Sequence, residues 1–326
     1  MLRKILTVVN VVLAAVLIYI LIQPKLRARR EVHADLVYRA DITALPVFVA
    51  KANGYFDSLK VIIDNMKEPA KPGEDVLDVL KGKYIAGIGT DWGFFAFRAK
   101  DRPGAYRVVI NATSTISMPY TALLVSPDSK IKSYKDLEGK SVGFLRDTKH
   151  DQLFTYILKK EGVNADAVRM IALMRSEMPT VFSEEGMGLD AVIAVEPYRT
   201  ILIKSGAKVL EDGVIEKKLL SPLPDGVIFT SIANLELKRE ATRRVINALN
   251  MAVDFIRKNP DSAVAILRSE FELPDTVVIP LPTFEKYDEV DFGAVQRYLN
   301  TLKDAEILFY EVPADSFRLL PEEIKK

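Results

Sequence analysis

Three polar clusters in this chain fall where a predicted strand gives way to a helix, and each carries groups able to hold a small polar molecule. Thr90-Asp91-Trp92 places a hydroxyl and a carboxylate beside the chain's one tryptophan. Arg146-Asp147-Thr148-Lys149 places two cations around an acid, and Glu196-Pro197-Tyr198-Arg199 joins an acid, an aromatic ring and a guanidinium. Asp41 and Thr43, at the end of the first predicted strand, and Ser114-Thr115, after the fourth, are further candidates. At such places unpaired amide N–H groups and the helix dipole favour an anion or an acceptor-rich ligand. Arg146, Lys149 and Arg199 suit a sulfonate or carboxylate through charge-assisted hydrogen bonds. Trp92, Phe94 and Tyr198 suit a flat heterocycle by stacking. A plainer reading covers each cluster as well: Asp91 caps a helix whose Trp92 is core, and Asp147 or Thr148 caps a solvated loop. Glu196 and Arg199 then form a surface pair worth about 0 to 1 kcal/mol.

Composition narrows the chemistry. The chain has no cysteine, which removes disulfides, thiol nucleophiles and cysteine-ligated zinc or iron–sulfur sites. His33 and His150 are the only histidines and read as a linker residue and an exposed helix start; no metal site or cofactor is expected. The 45 basic and 44 acidic residues nearly cancel, so nucleic-acid binding has no electrostatic support. Two lookalike motifs fail on spacing. Gly139-Lys140-Ser141 has Tyr134 where a phosphate loop needs its first glycine, and the third glycine after Gly87-Ile88-Gly89 is Gly93, one place late. The sequon Asn111-Ala112-Thr113 is short enough to arise by chance.

The elements that would position these clusters alternate between strand and helix. Predicted strands cover Leu36 to Ala40, Val61 to Asp64, Ile85 to Gly89, Arg107 to Ile110 and Tyr120 to Val125. Thr43 reads as an N-cap, with Pro46 in the first turn and Gly54 closing the helix. Asp136 to Gly139 forms a polar turn into the strand Ser141 to Leu145; a helix ending at Gly162 follows, and Gly188-Leu189-Asp190-Ala191 leads into another strand. Asn234 to Lys258 reads as one long amphipathic helix. This order predicts a mainly parallel, covered sheet with ligands beyond the strands' carboxyl ends.

The N-terminus differs from the rest. Ile5 to Gln23 is almost wholly apolar, and a helix of that length covers about 28 Å. It is expected to be a retained membrane span. Val32-His33-Ala34 could end a cleaved signal, but Lys25, Arg27, Arg29 and Arg30 stand where a signal peptide carries a short neutral stretch. Arg3 and Lys4 before the span and four basic residues after it would place the large domain in the cytoplasm.

Five stretches in order carry a family resemblance: Leu45-Pro46 through Ala50-Lys51-Ala52-Asn53-Gly54-Tyr55-Phe56, then Ile85 to Thr90, the Asp136 turn, Leu189-Asp190-Ala191, and Ala248 to Pro260. From about Asp35 to Leu267 the chain resembles solute-binding proteins of ABC importers, in the branch for sulfonate, taurine, nitrate and thiamine precursors. Glu196-Pro197-Tyr198 is similar to that family's acid-Pro-aromatic segment; the final fifty or so residues match nothing in it. The resemblance implies an α/β, two-lobe, type II periplasmic-binding-protein-like fold, here preceded by one transmembrane helix. Tyr120 to Val125 and Val227 to Thr230 would be its two crossover strands. Residues 1–34 would be anchor and linker, 35–119 with 228–326 the first lobe, and 120–227 the second. The function implied is non-catalytic: a monomeric receptor, single-pass in the cell membrane and facing outside, that captures a small molecule and delivers it to an ABC permease and its ATPase. That role overrules the flanking-charge count. An enzyme of the same fold class, similar to menaquinone-pathway proteins, and a ligand-sensing domain are the alternatives.

Overall fold

The computed structural model describes residues 12–14, 16–19, 31–183 and 187–325. Residues 12–14 and 16–19 are helical; the rest of the apolar run expected to span a bilayer lies outside the described residues. No helix among the described residues is long and apolar enough to cross a membrane.

Among the described residues eleven strands form two sheets. The first contains β1 (Val32–Tyr38), β2 (Val61–Lys67), β3 (Ala86–Asp91), β4 (Tyr106–Ser114), β10 (Leu223–Ser231) and β11 (Thr283–Lys286), in the order β11-β4-β10-β3-β1-β2. The second contains β5 (Thr121–Val125), β6 (Ser141–Leu145), β7 (Arg169–Leu173), β8 (Ala191–Val195) and β9 (Lys208–Asp212), in the order β7-β6-β8-β5-β9. Each sheet with its helices is one lobe. β8 reads Ala-Val-Ile-Ala-Val and is buried throughout, the pattern of a strand covered on both faces.

Pairing is mixed, not mainly parallel as expected. β2-β1-β3 and β7-β6-β8 are parallel, whereas β10 runs against β3 and β4, β11 against β4, and β5 against β8 and β9. The two crossings between lobes cause this reversal. The chain leaves the first sheet after β4 through residues 115–120 and returns after the helix Val214–Lys218 through residues 219–222. Tyr120 to Val125 and Val227 to Thr230 are therefore not the crossings themselves: β5 pairs within the second sheet and β10 within the first. β10 passes close to the start of the first helical segment. A Cβ at Gly226 would fall 2.5 Å from the Thr43 Cβ, so only glycine fits.

The Asp136 and Asp190 motifs meet in the second lobe, and their role there is structural. Asp190 Oδ2 accepts from the Ser141 backbone N–H and hydroxyl at 2.9 Å each, tying the starts of β6 and β8. Asp136 closes a capping box with Ser133. The helix expected from Asn234 to Lys258 is two helices, Ile232–Leu237 and Arg239–Lys258, broken at Lys238. The Thr242 hydroxyl adds a bond to the carbonyls of Asn234 and Lys238, at 3.0 Å each, across the break. Val245, Leu249, Ala252 and Val253 then bury one face of the longer helix, which packs on the helix Leu45–Ala52.

The C-terminal stretch that matched no pattern in the sequence completes the first lobe. The helix Phe292–Asp304 packs on β10, and Phe317 lies 6.0 Å from the Trp92 ring and 5.2 Å from Phe95. Trp92 itself is fully buried, and its indole N–H donates to Asn111 Oδ1 at 2.7 Å. If Phe317 is core and not a surface plug, Phe317→Ala should cost about 3 to 5 kcal/mol by denaturant unfolding. Phe309→Ala, at a side chain 77% exposed, should stay within about 0.5 kcal/mol of the parent. Equal, small effects would show that the tail is not docked.

Candidate functional site

The strand ends of the two lobes face each other across a seam, as expected for ligand binding in open α/β sheets. After β1 the first lobe supplies Arg39, Ala40 and Asp41; at the end of β3 it supplies Asp91; Asp75 stands behind them on the helix Glu74–Leu80. After β6 the second lobe supplies Arg146 to His150, after β7 Arg175, and after β8 Tyr198.

Arg39 is 1% exposed and forms the centre of the seam. Its Nη2 donates to both Asp75 carboxylate oxygens, at 3.0 and 2.9 Å, within its own lobe. Its Nη1 reaches across to the Asp147 backbone carbonyl at 3.1 Å and pairs with the Asp147 carboxylate. Arg175 completes the chain from the other side: Nη1 pairs with Asp147 and Nη2 donates to Asp41 Oδ2 at 3.0 Å. Thr90, fully buried, donates its hydroxyl to Asp75 Oδ2 at 2.7 Å. The result is one continuous series across both lobes, Thr90–Asp75–Arg39–Asp147–Arg175–Asp41. Burial alone would raise the Asp147 carboxyl, but the guanidiniums of Arg175 and Arg39 overrule it and hold it well below the usual carboxylate range. At Asp41 burial wins over Arg175 and Thr43, and the carboxyl is raised.

Around this series the lobes touch again. Asp91 Oδ1 caps the helix Trp92–Ala99, accepting from the Phe94 N–H at 2.7 Å, while Oδ2 lies 3.7 Å from His150 Nε2. Lys149 extends from the second lobe over the Phe97 ring, 3.8 Å from its centroid, and a Cβ at Gly93 would fall 3.1 Å from the Lys149 Cβ. The Tyr198 hydroxyl donates to the Ala40 carbonyl at 3.1 Å. Asp147 Oδ1, Arg175 Nε and His150 Nδ1 are buried with no hydrogen-bond partner among the described residues, so the seam keeps unused donors and acceptors. Beside it lies a pocket of ≈160 Å³ lined by Arg146, Asp147, Arg175 and Ser176.

The sequence-predicted residues divide on this geometry. Asp41, Asp91, Asp147, Lys149 and Tyr198 reach the seam, and exposed Arg146 lines its mouth. Thr90 supports from behind. Trp92 does not face the seam, because its ring fills the first-lobe core against Phe95 and Phe317. Thr43 is not the expected helix cap: Asp41 caps a short 3-10 turn, Ile42–Ala44, by accepting the Thr43 N–H at 2.9 Å. The Thr148 hydroxyl turns back to the Leu145 carbonyl at 2.8 Å. Glu196 is buried in its own lobe, where it accepts from Arg199 at 2.6 Å and Thr200 at 2.8 Å; Arg199 also grips Asp212. Ser114 donates toward Glu216 and Asp225 at the first crossing, both at 3.0 Å, and Thr115 belongs to the turn that follows. Sequence reasoning missed Arg39, Asp75 and Arg175 and took buried His150 for an exposed residue. Arg39 and Arg175 occupy strand-end positions like those it singled out; for Asp75 there was no local signal.

Asp91 and His150 predict opposing pH effects. Burial raises the Asp91 carboxyl from 3.8 to about 7, against hydrogen bonds from the Phe94 and Lys149 N–H groups. Its contribution to stability therefore falls as pH rises through that interval. Burial lowers the His150 imidazole from 6.5 to about 4, so its contribution falls as pH drops through that interval. The two oppose each other between pH 4 and 6.5. Asp91→Asn, which keeps a capping group, should make the melting temperature climb more steeply with pH than in the parent. His150→Gln should flatten or invert the climb. Parallel profiles for all three proteins would contradict the assignment.

Comparison with known proteins agrees with the resemblance read from the sequence. Residues 42–263 match the family described as NMT1/THI5 like. The chain is 24% identical over 158 residues to the 4-amino-5-hydroxymethyl-2-methylpyrimidine phosphate synthase of Schizosaccharomyces pombe, a match covering 48% of this chain and 44% of that protein. It is 24% identical over 225 residues to a Haemophilus influenzae protein named for thiamine biosynthesis, covering 67% of this chain and 66% of that one. The chain thus spans less than two thirds of either relative. Among solved structures it is similar to the periplasmic aliphatic sulphonate binding protein SsuA of Escherichia coli, with TM-score 0.66, 17% identity, and 89% of this chain and 92% of that chain covered. The periplasmic nitrate-binding protein NrtA of Synechocystis PCC 6803 gives TM-score 0.64 at 13% identity, covering 88% and 85%. The desulfurization enzyme DSZB gives 0.60 at 15%, covering 90% and 98%. At these identities the likeness shows the fold alone. The family match, by contrast, covers more than half the chain: this protein belongs to the NMT1/THI5-like family.

Proposed function

We propose that this protein is an extracytoplasmic receptor that closes two lobes on a small solute and delivers it to an ABC permease, tethered by its N-terminal apolar segment. The observation that carries the reading is the charged series through Arg39, Asp147 and Arg175, which joins strand ends of both lobes while the chain, among the described residues, crosses between them twice. Two short crossings permit hinge motion, and a seam of ion pairs with unused polar atoms gives the closed form something specific to hold. The fold shared with sulphonate- and nitrate-binding periplasmic proteins supports the same reading. A tether would raise the effective concentration of the receptor at its permease.

Catalysis is the second reading, favoured by the synthase among the relatives and the desulfurization enzyme among the structural neighbours. It would have to proceed without a thiol, since the chain has no cysteine. Mass spectrometry of a solute after binding and release separates the two: a receptor returns it unchanged.

Two outcomes test the receptor reading. Arg175→Gln removes the bonds to Asp41 and Asp147 and should enlarge the radius of gyration of the ligand-free protein in small-angle scattering, with a solute restoring the compact value. An identical radius with and without bound solute would count against hinged capture. Protease applied to intact cells should cleave the large domain; protection until lysis would exclude external display.

A further inference from the structure

A second cavity crosses the seam on the other side of Arg175. It has a volume of ≈420 Å³, within the range of small-molecule sites, and both lobes line it. Tyr38, Phe48 and Phe271 come from the first lobe and Tyr198 from the second. The rings form a connected edge-to-face set: Tyr38 to Phe48 at 5.7 Å, Phe48 to Phe271 at 6.3 Å, and Phe271 to Tyr198 at 6.3 Å between centroids. Two carboxylates, Glu68 and Glu270, stand at the same cavity, and neither has an ion-pair partner among the described residues. Glu68 is fixed by accepting the Ala40 N–H at 3.0 Å. The cation in the lining, Arg175, already pairs with Asp41 and Asp147.

Aromatic rings beside carboxylates without ion-pair partners, with the lining guanidinium already paired, make a poor site for an anion and a good one for an organic cation. Ring quadrupoles attract the cation, and the two acids supply net opposite charge. We infer that this cavity binds a small organic cation, such as a quaternary or primary ammonium, between Tyr38 and Tyr198, with Glu68 and Glu270 as its counter-charges. The inference rests on the receptor reading and names the solute class: because Tyr38 and Tyr198 belong to different lobes, occupancy draws the lobes together. It separates this chain from an anion receptor even though its fold is that of sulphonate- and nitrate-binding proteins.

The test is calorimetry and thermal shift on the full chain, with choline and tetramethylammonium as cation probes and taurine, methanesulfonate and nitrate as anion probes. The cations should bind and the anions should not, and cation affinity should fall as salt is raised. Tyr38→Leu should weaken cation binding about 2- to 30-fold, and Tyr38→Phe should restore it, because ring and not hydroxyl carries the attraction. Glu270→Lys, at an exposed position, should leave the melting temperature unchanged and remove cation binding. Cation binding that is indifferent to both Tyr38→Leu and Glu270→Lys would overturn the site. Binding of an anion with no cation bound would overturn the class while leaving the receptor reading in place. If no solute in a broad metabolite panel binds, the receptor reading fails first.

Discussion

A guanidinium removed from water must find its counter-charges at fixed positions, and Arg39 imposes that requirement on both lobes. At 1% exposure it has Asp75 behind it and Asp147 in front, one from each lobe. A buried pair of this kind adds little net stability, yet breaking it leaves a charge uncompensated and costs about 3 to 5 kcal/mol. Its effect is geometric. Asp147 can serve Arg39 only if β6 ends opposite β1, as the contact across the seam shows, and Arg175 can serve Asp147 only if β7 ends beside β6, as their parallel pairing provides. Lysine could not do the same, since the arrangement uses separate nitrogens of one planar fork for partners in different lobes.

Arg175 also divides the seam into two environments. On one side lie Asp147, Arg146 and a small pocket; on the other lie four aromatic rings and Glu270, while Glu68 lines both cavities. Because Arg175 bonds to carboxylates from both lobes, any shift between the lobes moves its side chain relative to both cavities. The ion-pair series and the aromatic cavity are therefore mechanically linked, although they differ in polarity.

Much of the fold was legible because it is written locally. β8 announces itself as an apolar run, and the Leu45-Pro46 to Gly54 segment carries helix start and stop signals. Local signals also placed Asp41, Asp91 and Asp147 at strand ends. What they could not give is direction beyond the strand end. Trp92 points to the core because Phe317, more than two hundred residues later, packs on it, and Glu196 turns inward because Arg199 lies one helical turn away. Asp75 was invisible because its role depends on a strand-end arginine it meets only in three dimensions. The mixed pairing of the first sheet has the same origin: nothing within β3 or β4 says that the strand between them arrives from the far side of the second lobe.

That late arrival has a consequence for how the protein is made. The second sheet comes from one unbroken stretch and is complete once β9 has emerged from the ribosome. The first is not. Both partners of β4, β10 and β11, lie later in the chain, so a nine-residue, almost wholly buried strand waits with two open edges while the whole second lobe is translated. Open apolar edges are templates for association with other chains. Nascent copies are thus most exposed to aggregation during that interval, and a chaperone or a translocation channel that keeps β4 extended until β10 appears would protect the step at which this fold is most vulnerable.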